Sequence, residues 1–452
     1  MTYESDFDTL AAAAATSMAR LKIPGVALGV VHGGRIFTAA LGVTSVEHPL
    51  PVTDATLFQI GSISKTFCAT LAYRMAEAGE LDLDVPLRTY LPELRLADET
   101  VAARVTLRHC FTHTGGWLGD YFDDTGDGDD ALARMVAQLD RLPQLTPLGA
   151  YWSYNNAGFY LAGRALEVMG GCSYETLVRE AIFAPLGMET AGFSAADAIT
   201  RSFVVGHTAV YGDGAPQVAR PWGLARNAAP VGGIIASAAE LLRYAQFQLG
   251  LVSGPLADES RRAMQRPQVD GAAGEQFGTG WFVRQTPIGQ IVRHGGATKG
   301  QQATLQLIPE RGFGLLVLTN SDRGSELYEP LAKLAFQRFC ELDEPPPALV
   351  AAAPGWDDAA RGDYSGALAD RRILWRDGAL WLETEPKGGF PTPQTPPGVI
   401  PPPSRLAWLG PDQLVGLDAP FAGARIELLR ETGEIAWLRV GGRMNRRDTR
   451  ST

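Results

Sequence analysis

At Pro345-Pro-Pro347 the chain changes character, and any fold it adopts has to respect that break. Before it, amphipathic helical segments mix with short apolar runs; after it, Trp-rich short strands replace helices. Proline has no N–H to give a helix or a ladder, so this stretch and the alanines up to Pro354 read as a linker. The expected organisation is a large domain over 1-343, a Pro/Ala-rich linker over 344-358 and a small β domain over 359-452. A length of 452 residues suits two or three domains.

Within the first part, residues 6–21 are Ala-rich and amphipathic, which predicts a helix, and Pro24-Gly25 opens the apolar strand Val26–Val31. Gly33-Gly34 should turn that strand back into Ile36–Ala40. Pro287-Ile-Gly289 and Pro309–Gly312 mark two further turns between strands, and Leu327–Leu342 predicts a closing helix. In the last part, Asp377-Gly378 between two apolar runs predicts a tight hairpin. Residues 406–409, 413–417, 424–429 and 435–440 add strands around the proline-rich insert 391–403. Six or more short antiparallel strands suggest a small barrel or curled sheet.

A net charge of −10 without a basic stripe argues against a nucleic-acid partner. No run approaches the roughly 20 apolar residues of a membrane span, and the first residues lack a basic-then-apolar leader, so a cytoplasmic protein is the expectation. Cys68, Cys110, Cys172 and Cys340 stand far apart and read as buried free thiols, with no metal and no cofactor expected. His109 and His113 have i, i+4 spacing but lack a third ligand, so they read as hydrogen-bonded structural residues.

Three stretches carry chemistry. In Gly61–Phe67, Ser62 and Lys65 lie three residues apart at the start of a helix ended by Gly79, on one helix face. Free N–H groups and the positive end of the helix dipole there favour the charge that develops on an attacked carbonyl. Taken alone the pair also fits a helix N-cap followed by a surface lysine. In Tyr151–Tyr160, Tyr154 and Asn156 form Tyr-x-Asn. A phenol beside an ammonium has its pKa lowered, making Tyr154 a possible base, and Asn156 can serve the lysine and a substrate amide. Third, Ile291–Ala297 reads as a strand ending in His294, followed by Gly295 and Gly296, where a backbone can approach a ligand closely. The Asp120–Asp130 loop suits a substrate bearing a free amine.

Ser62-x-x-Lys65, Tyr154-x-Asn156 and His294-Gly-Gly296, in this order and spacing, resemble the three motifs of the serine β-lactamase and penicillin-binding-protein superfamily. The class C-like branch, with D-aminopeptidases, alkaline D-peptidases and β-lactamase-like esterases, is most similar; Pro185-Leu-Gly-Met188 and Gly278-x-Gly-Trp281 also fit it. The likeness spans about residues 8 to 342. It implies an α/β (α+β) catalytic domain, an antiparallel sheet flanked by helices with an all-helical subdomain, followed by a lipocalin-like β-barrel.

The resemblance further implies Ser62 as the acylated nucleophile, and Lys65 and Tyr154 as sharers of the base role. It implies an oxyanion hole from the N–H groups of Ser62 and Ala297, and Tyr154 as activator of the hydrolytic water. His294 stands where Lys-Thr-Gly would help hold a substrate carboxylate, and is mostly neutral at pH 7. That favours hydrolysis of D-amino-acid-containing peptides or amides, or of small esters. β-Lactam hydrolysis and non-catalytic binding of penicillin or peptide are the alternatives. The expected partner is a small molecule or short peptide, with a homo-oligomer possible. A β domain of this kind can lie over the active site, or serve dimerisation or stability.

Overall fold

In the computed structural model, which describes residues 3–448, the strand after Pro24 lies at the centre of the larger part. Strand β1 (Gly25–His32) is buried along its whole length, because helices cover both faces of its sheet. Val26, Leu28 and Val30 share one apolar cluster with Leu10 of helix α1 (Tyr3–Leu21) and with Leu331 and Phe336 of the helix Gly324–Cys340. Ala27 and Val31 belong to the opposite cluster, with Phe67, Leu241 and Leu242. Gly29 is required by that packing: a Cβ there would lie 2.6 Å from Leu242 Cδ1.

The remaining strands are β2 (Arg35–Gly42), β3 (Leu57–Gln59), β4 (Ile235–Ser237), β5 (Val269–Asp270), β6 (Gln276–Phe277), β7 (Phe282–Thr286), β8 (Gly289–Thr298), β9 (Gln301–Ile308) and β10 (Phe313–Thr319). With β1, seven of them form one eight-stranded antiparallel sheet in the order β2-β1-β10-β9-β8-β7-β6-β5, while β3 pairs with β4 apart from it. The turns expected at Gly33-Gly34, Pro287-Ile288 and 309–312 join β1 to β2, β7 to β8 and β9 to β10. Between β3 and β4 the chain runs through short helices joined by loops, and helix α2 (Ser64–Glu77) packs against several of them while sharing a buried cluster with Ala27 and Val31 of β1.

One expectation fails at β8. The strand does not end at His294 but continues through Gly295, Gly296 and Ala297, paired with Thr304, Ala303 and Gln302 of β9. Ladder bonds to β9 outweigh glycine's weak strand preference. Cys172 is likewise exposed, whereas the other three cysteines are buried and free.

Beyond the helix Gly324–Cys340, Val350 N–H donates to Trp408 O at 2.9 Å, so the linker is tied to the second domain. This domain is a closed eight-stranded antiparallel barrel: β11 (Gly362–Ser365), β12 (Ala369–Arg376), β13 (Ala379–Pro386), β14 (Ser404–Gly410), β15 (Gln413–Gly416), β16 (Arg425–Glu431), β17 (Glu434–Val440) and β18 (Arg443–Arg447). Tyr364, Ile373, Leu382, Leu414, Ile426 and Leu438 fill it. Asp377 and Gly378 both have positive φ, 53° and 77°, as the tight β12–β13 turn requires.

Candidate active site

β3 leads into a single 3-10 turn, Gly61–Ile63, and α2 starts at Ser64. Ser62 therefore sits on the turn that feeds the helix, and Lys65 falls one turn later on the same side. Lys65 Nζ lies 3.0 Å from Ser62 Oγ and donates to Val231 O at 2.6 Å. The lysine is fully buried. Burial, reinforced by the Arg443 guanidinium, holds its amine well below the ordinary lysine value; Asp120 and Cys68 oppose this without reversing it.

Tyr154, Asn155 and Asn156 lead into the helix Ala157–Gly170. His113, in the left-handed region at φ 58°, braces this loop: Ser153 N–H donates to His113 O at 3.1 Å and Asn155 N–H to His113 Nδ1 at 3.0 Å. Asn156 does not serve Lys65; its Nδ2 donates to Asp120 Oδ1 at 2.6 Å. The Tyr154 ring adjoins both the Lys65 amine and the Arg443 guanidinium, with Lys65 Nζ 5.1 Å and Arg443 Cζ 4.8 Å from its centroid. The expected lowering of the Tyr154 pKa is not found. Complete burial pushes the phenol well above its usual value, and Ser62 and Arg443 offset only part of that.

β8 lies alongside the Gly61–Ile63 turn through glycine contacts. Gly61 has φ 53°, and a Cβ on it would sit 2.5 Å from Ala297 N. One on Gly296 would collide with Ile60 O and stand 3.1 Å from Ser62 N. These contacts bring the Ser62 and Ala297 backbones to one edge of the site. His294 Nδ1 is 2.6 Å from Gly295 O, and burial together with the nearby Lys65 drives its pKa down to about 3, so the ring is neutral at pH 7. Tyr154 Oη turns toward Ser62 without a well-aligned hydrogen bond, and His294 Nε2 is buried with no partner among the described residues. They keep hydrogen-bonding capacity at the centre of the site.

The expectation that the β domain can lie over the site named none of the barrel residues that reach it. Tyr154 N–H donates to Gly442 O at 2.9 Å, Arg439 Nη1 donates to Trp152 O at 2.8 Å, and Arg443 Nε pairs with Asp120 Oδ2 at 2.6 Å. Arg443 and Val231 carry no local pattern that would have marked them, and Asp120 stood out only as one carboxylate of the acidic loop; a lone Gly-Gly-Arg turn reads as an ordinary hairpin. The acidic loop also differs from expectation. Asp120, Asp129 and Asp130 pair with Arg443, Arg226 and Arg134, which leaves less free charge for a substrate amine. His109 sits in a helix capping box with Thr106, and no cluster of three metal-ligating side chains occurs among the described residues. Nor is any described helix long and apolar enough to cross a membrane.

The family model described as Beta-lactamase matches residues 10–338. Penicillin-binding protein 4 of Amycolatopsis lactamdurans is 32% identical, over 74% of this chain and 92% of that protein. D-aminopeptidase of Gluconobacter oxydans is 28% identical, over 69% of this chain and 58% of its own length. Other relatives carry the names β-lactamase and esterase. Among solved structures, SurE superposes with a TM-score of 0.76 at 25% identity, covering 99% of this chain and 100% of that one.

Proposed function

The chain belongs to the β-lactamase family, whose members are serine hydrolases, and on that premise we propose that it cleaves amides or esters through an acyl-enzyme on Ser62. The observation that carries this reading is the buried Lys65 amine 3.0 Å from Ser62 Oγ, with a backbone carbonyl as its other partner. An amine held neutral can take the Ser62 proton as the oxygen attacks the substrate carbonyl. The oxyanion that forms is stabilised by the N–H groups of Ser62 and Ala297, each such donor being worth about 3 kcal/mol of barrier.

Tyr154, protonated at neutral pH, hands its proton to the leaving group as the tetrahedral intermediate collapses, and takes the one Lys65 acquired. Water then attacks the ester on Ser62. One of its protons passes to the Lys65–Tyr154 pair and returns to the Ser62 oxygen as the acid leaves. The favoured substrates are D-amino-acid amides, short D-peptides and small esters, in keeping with the names of the relatives. β-Lactam turnover is less favoured, because a neutral His294 offers no cation to a β-lactam carboxylate.

Intact-mass measurement after exposure to a fluorophosphonate tests the reading. An adduct located on Ser62 and absent from Ser62→Ala is expected. No adduct at saturating probe would leave a non-catalytic binder instead. Rates with p-nitrophenyl esters, D- and L-amino-acid anilides and nitrocefin then rank the substrate classes.

A further inference from the structure

The hairpin between β17 and β18 reaches the centre of the site from the second domain. Its turn residues Gly441 and Gly442 have φ 57° and 78°, and a Cβ on Gly442 would lie 3.0 Å from the Trp152 ring. Glycine is therefore what lets the turn press against the Tyr154 loop and take the Tyr154 N–H on its carbonyl. The next residue, Arg443, is fixed on every side. Asp120 binds its Nε, the Tyr154 ring lies under its guanidinium, and Asn445 Nδ2 donates to its carbonyl at 2.9 Å. A second barrel arginine, Arg371, stands behind it and donates to Asn445 Oδ1 at 2.6 Å.

We propose that Arg443 is a positioning residue for catalysis: held by Asp120, it sets the charge state of Lys65 across the Tyr154 ring, so that the barrel completes the active site. The inference rests on the reading of Lys65 as the base that activates Ser62. Arg443 and Lys65 each lie within about 5 Å of one ring centroid, hence within about 10 Å of each other. A guanidinium so close disfavours an ammonium at Lys65, and the Asp120 carboxylate favours one.

The other groups around Lys65 leave this pair in control. His113 and His294 are buried and their pKa values are lowered, so both rings are neutral at pH 7. Cys68, on the helix of Lys65, has its thiol pushed up to about 12 and stays protonated, as does the Tyr154 phenol. Among the described residues that face Lys65, Arg443 and Asp120 are thus the two that carry charge at neutral pH, with Arg371 adding to the positive side of the pair.

The test is the pH dependence of Ser62 modification by an uncharged fluorophosphonate, followed by intact mass on the full-length chain. In the unaltered protein the rate should rise with pH to a plateau as Lys65 loses its proton. Arg443→Gln is expected to move the midpoint up by about one pH unit, the scale of two unit charges within ~10 Å at an effective dielectric constant near 20. Asp120→Asn should move it down, and Arg443→Lys should leave it in place. Opposite displacements from the two halves of one ion pair are not what a merely structural role produces, since that would slow both variants without separating their midpoints. Midpoints that coincide in Arg443→Gln, Asp120→Asn and the parent overturn the proposal. So does a raised KM for carboxylate-bearing esters in Arg443→Gln with the midpoint unmoved, which would make Arg443 a substrate ligand. If the parent is labelled at no pH, the Ser62 acyl-enzyme itself is refuted; labelling with unmoved midpoints refutes the role of Arg443 alone.

Discussion

A buried lysine bonded to a serine hydroxyl and a backbone carbonyl has no carboxylate among its hydrogen-bond partners, and the Asp120 charge near it is paired with Arg443. Its folded pKa is depressed, so the neutral base is present above that value and is lost as pH falls through it. The profile of kcat/KM should accordingly reach its plateau well below the ordinary lysine range and fall on the acid side of it; an activating limb near pH 10 would contradict a depressed Lys65. Tyr154 has the opposite bias. Tyr154→Phe keeps the ring beside the Lys65 amine and the Arg443 guanidinium and removes the proton donor, so it should harm substrates whose leaving group needs a proton. The loss is expected to be about 10²-fold for a D-amino-acid anilide and far smaller for a p-nitrophenyl ester, measured as kcat for the pair. Ser62 and Lys65 were legible because helix geometry joins residues three apart, whatever else the chain does. Asp120 and Arg443 were not: 323 positions separate them, and their meeting depends on where a second domain docks.

Hairpins declare themselves when the turn demands an unusual backbone, as at Gly33-Gly34 and Asp377-Gly378. Two glycines after His294 look like a strand end, yet β8 runs through them, and the missing side chain of Gly296 is what allows the strand to lie against Ile60 and Ser62. The same logic predicts the behaviour of the β17–β18 turn. Gly442→Val would meet the Trp152 ring and place a β-branched residue at φ 78°, a strain of about 1–3 kcal/mol. Activity should drop at least about 10-fold by displacing Tyr154, with a smaller relative loss of thermal stability; unchanged kcat would show that the turn does not bear on the loop. By contrast Phe336→Ala, in the helix behind the sheet, removes a fully buried ring that packs 5.9 Å from Phe313. It should cost about 3–5 kcal/mol in denaturant unfolding while leaving KM near its original value, because that cluster does not reach the site.

The proline break foretold two units of different construction; that the smaller can lie over the site of the larger was one of two readings from the family resemblance, with no residue attached to it. Nothing in the linker encodes that docking; it arises where Arg439, Gly442 and Arg443 meet the backbone of Trp152, the N–H of Tyr154 and the carboxylate of Asp120. Phe122 and Phe390 add an edge-to-face contact 4.7 Å between centroids, and Arg425 Nη1 donates to Ala273 O at 3.3 Å. These bonds satisfy polar groups that undocking would return to water or leave beside an unpaired carboxylate, so the interface rather than the peptide connection should hold the barrel in place. A protease site introduced within residues 344–349 makes this measurable. After cleavage the two pieces should co-elute in gel filtration with kcat retained, since the linker contributes no group to the site. Adding Asp120→Ala to the cut chain removes the central ion pair and should let the barrel dissociate on dilution, with activity falling as it does. Separation of the unmutated pieces on cleavage would instead mean that the covalent link maintains the docked state, and that the contacts around Tyr154 are too weak to do so alone.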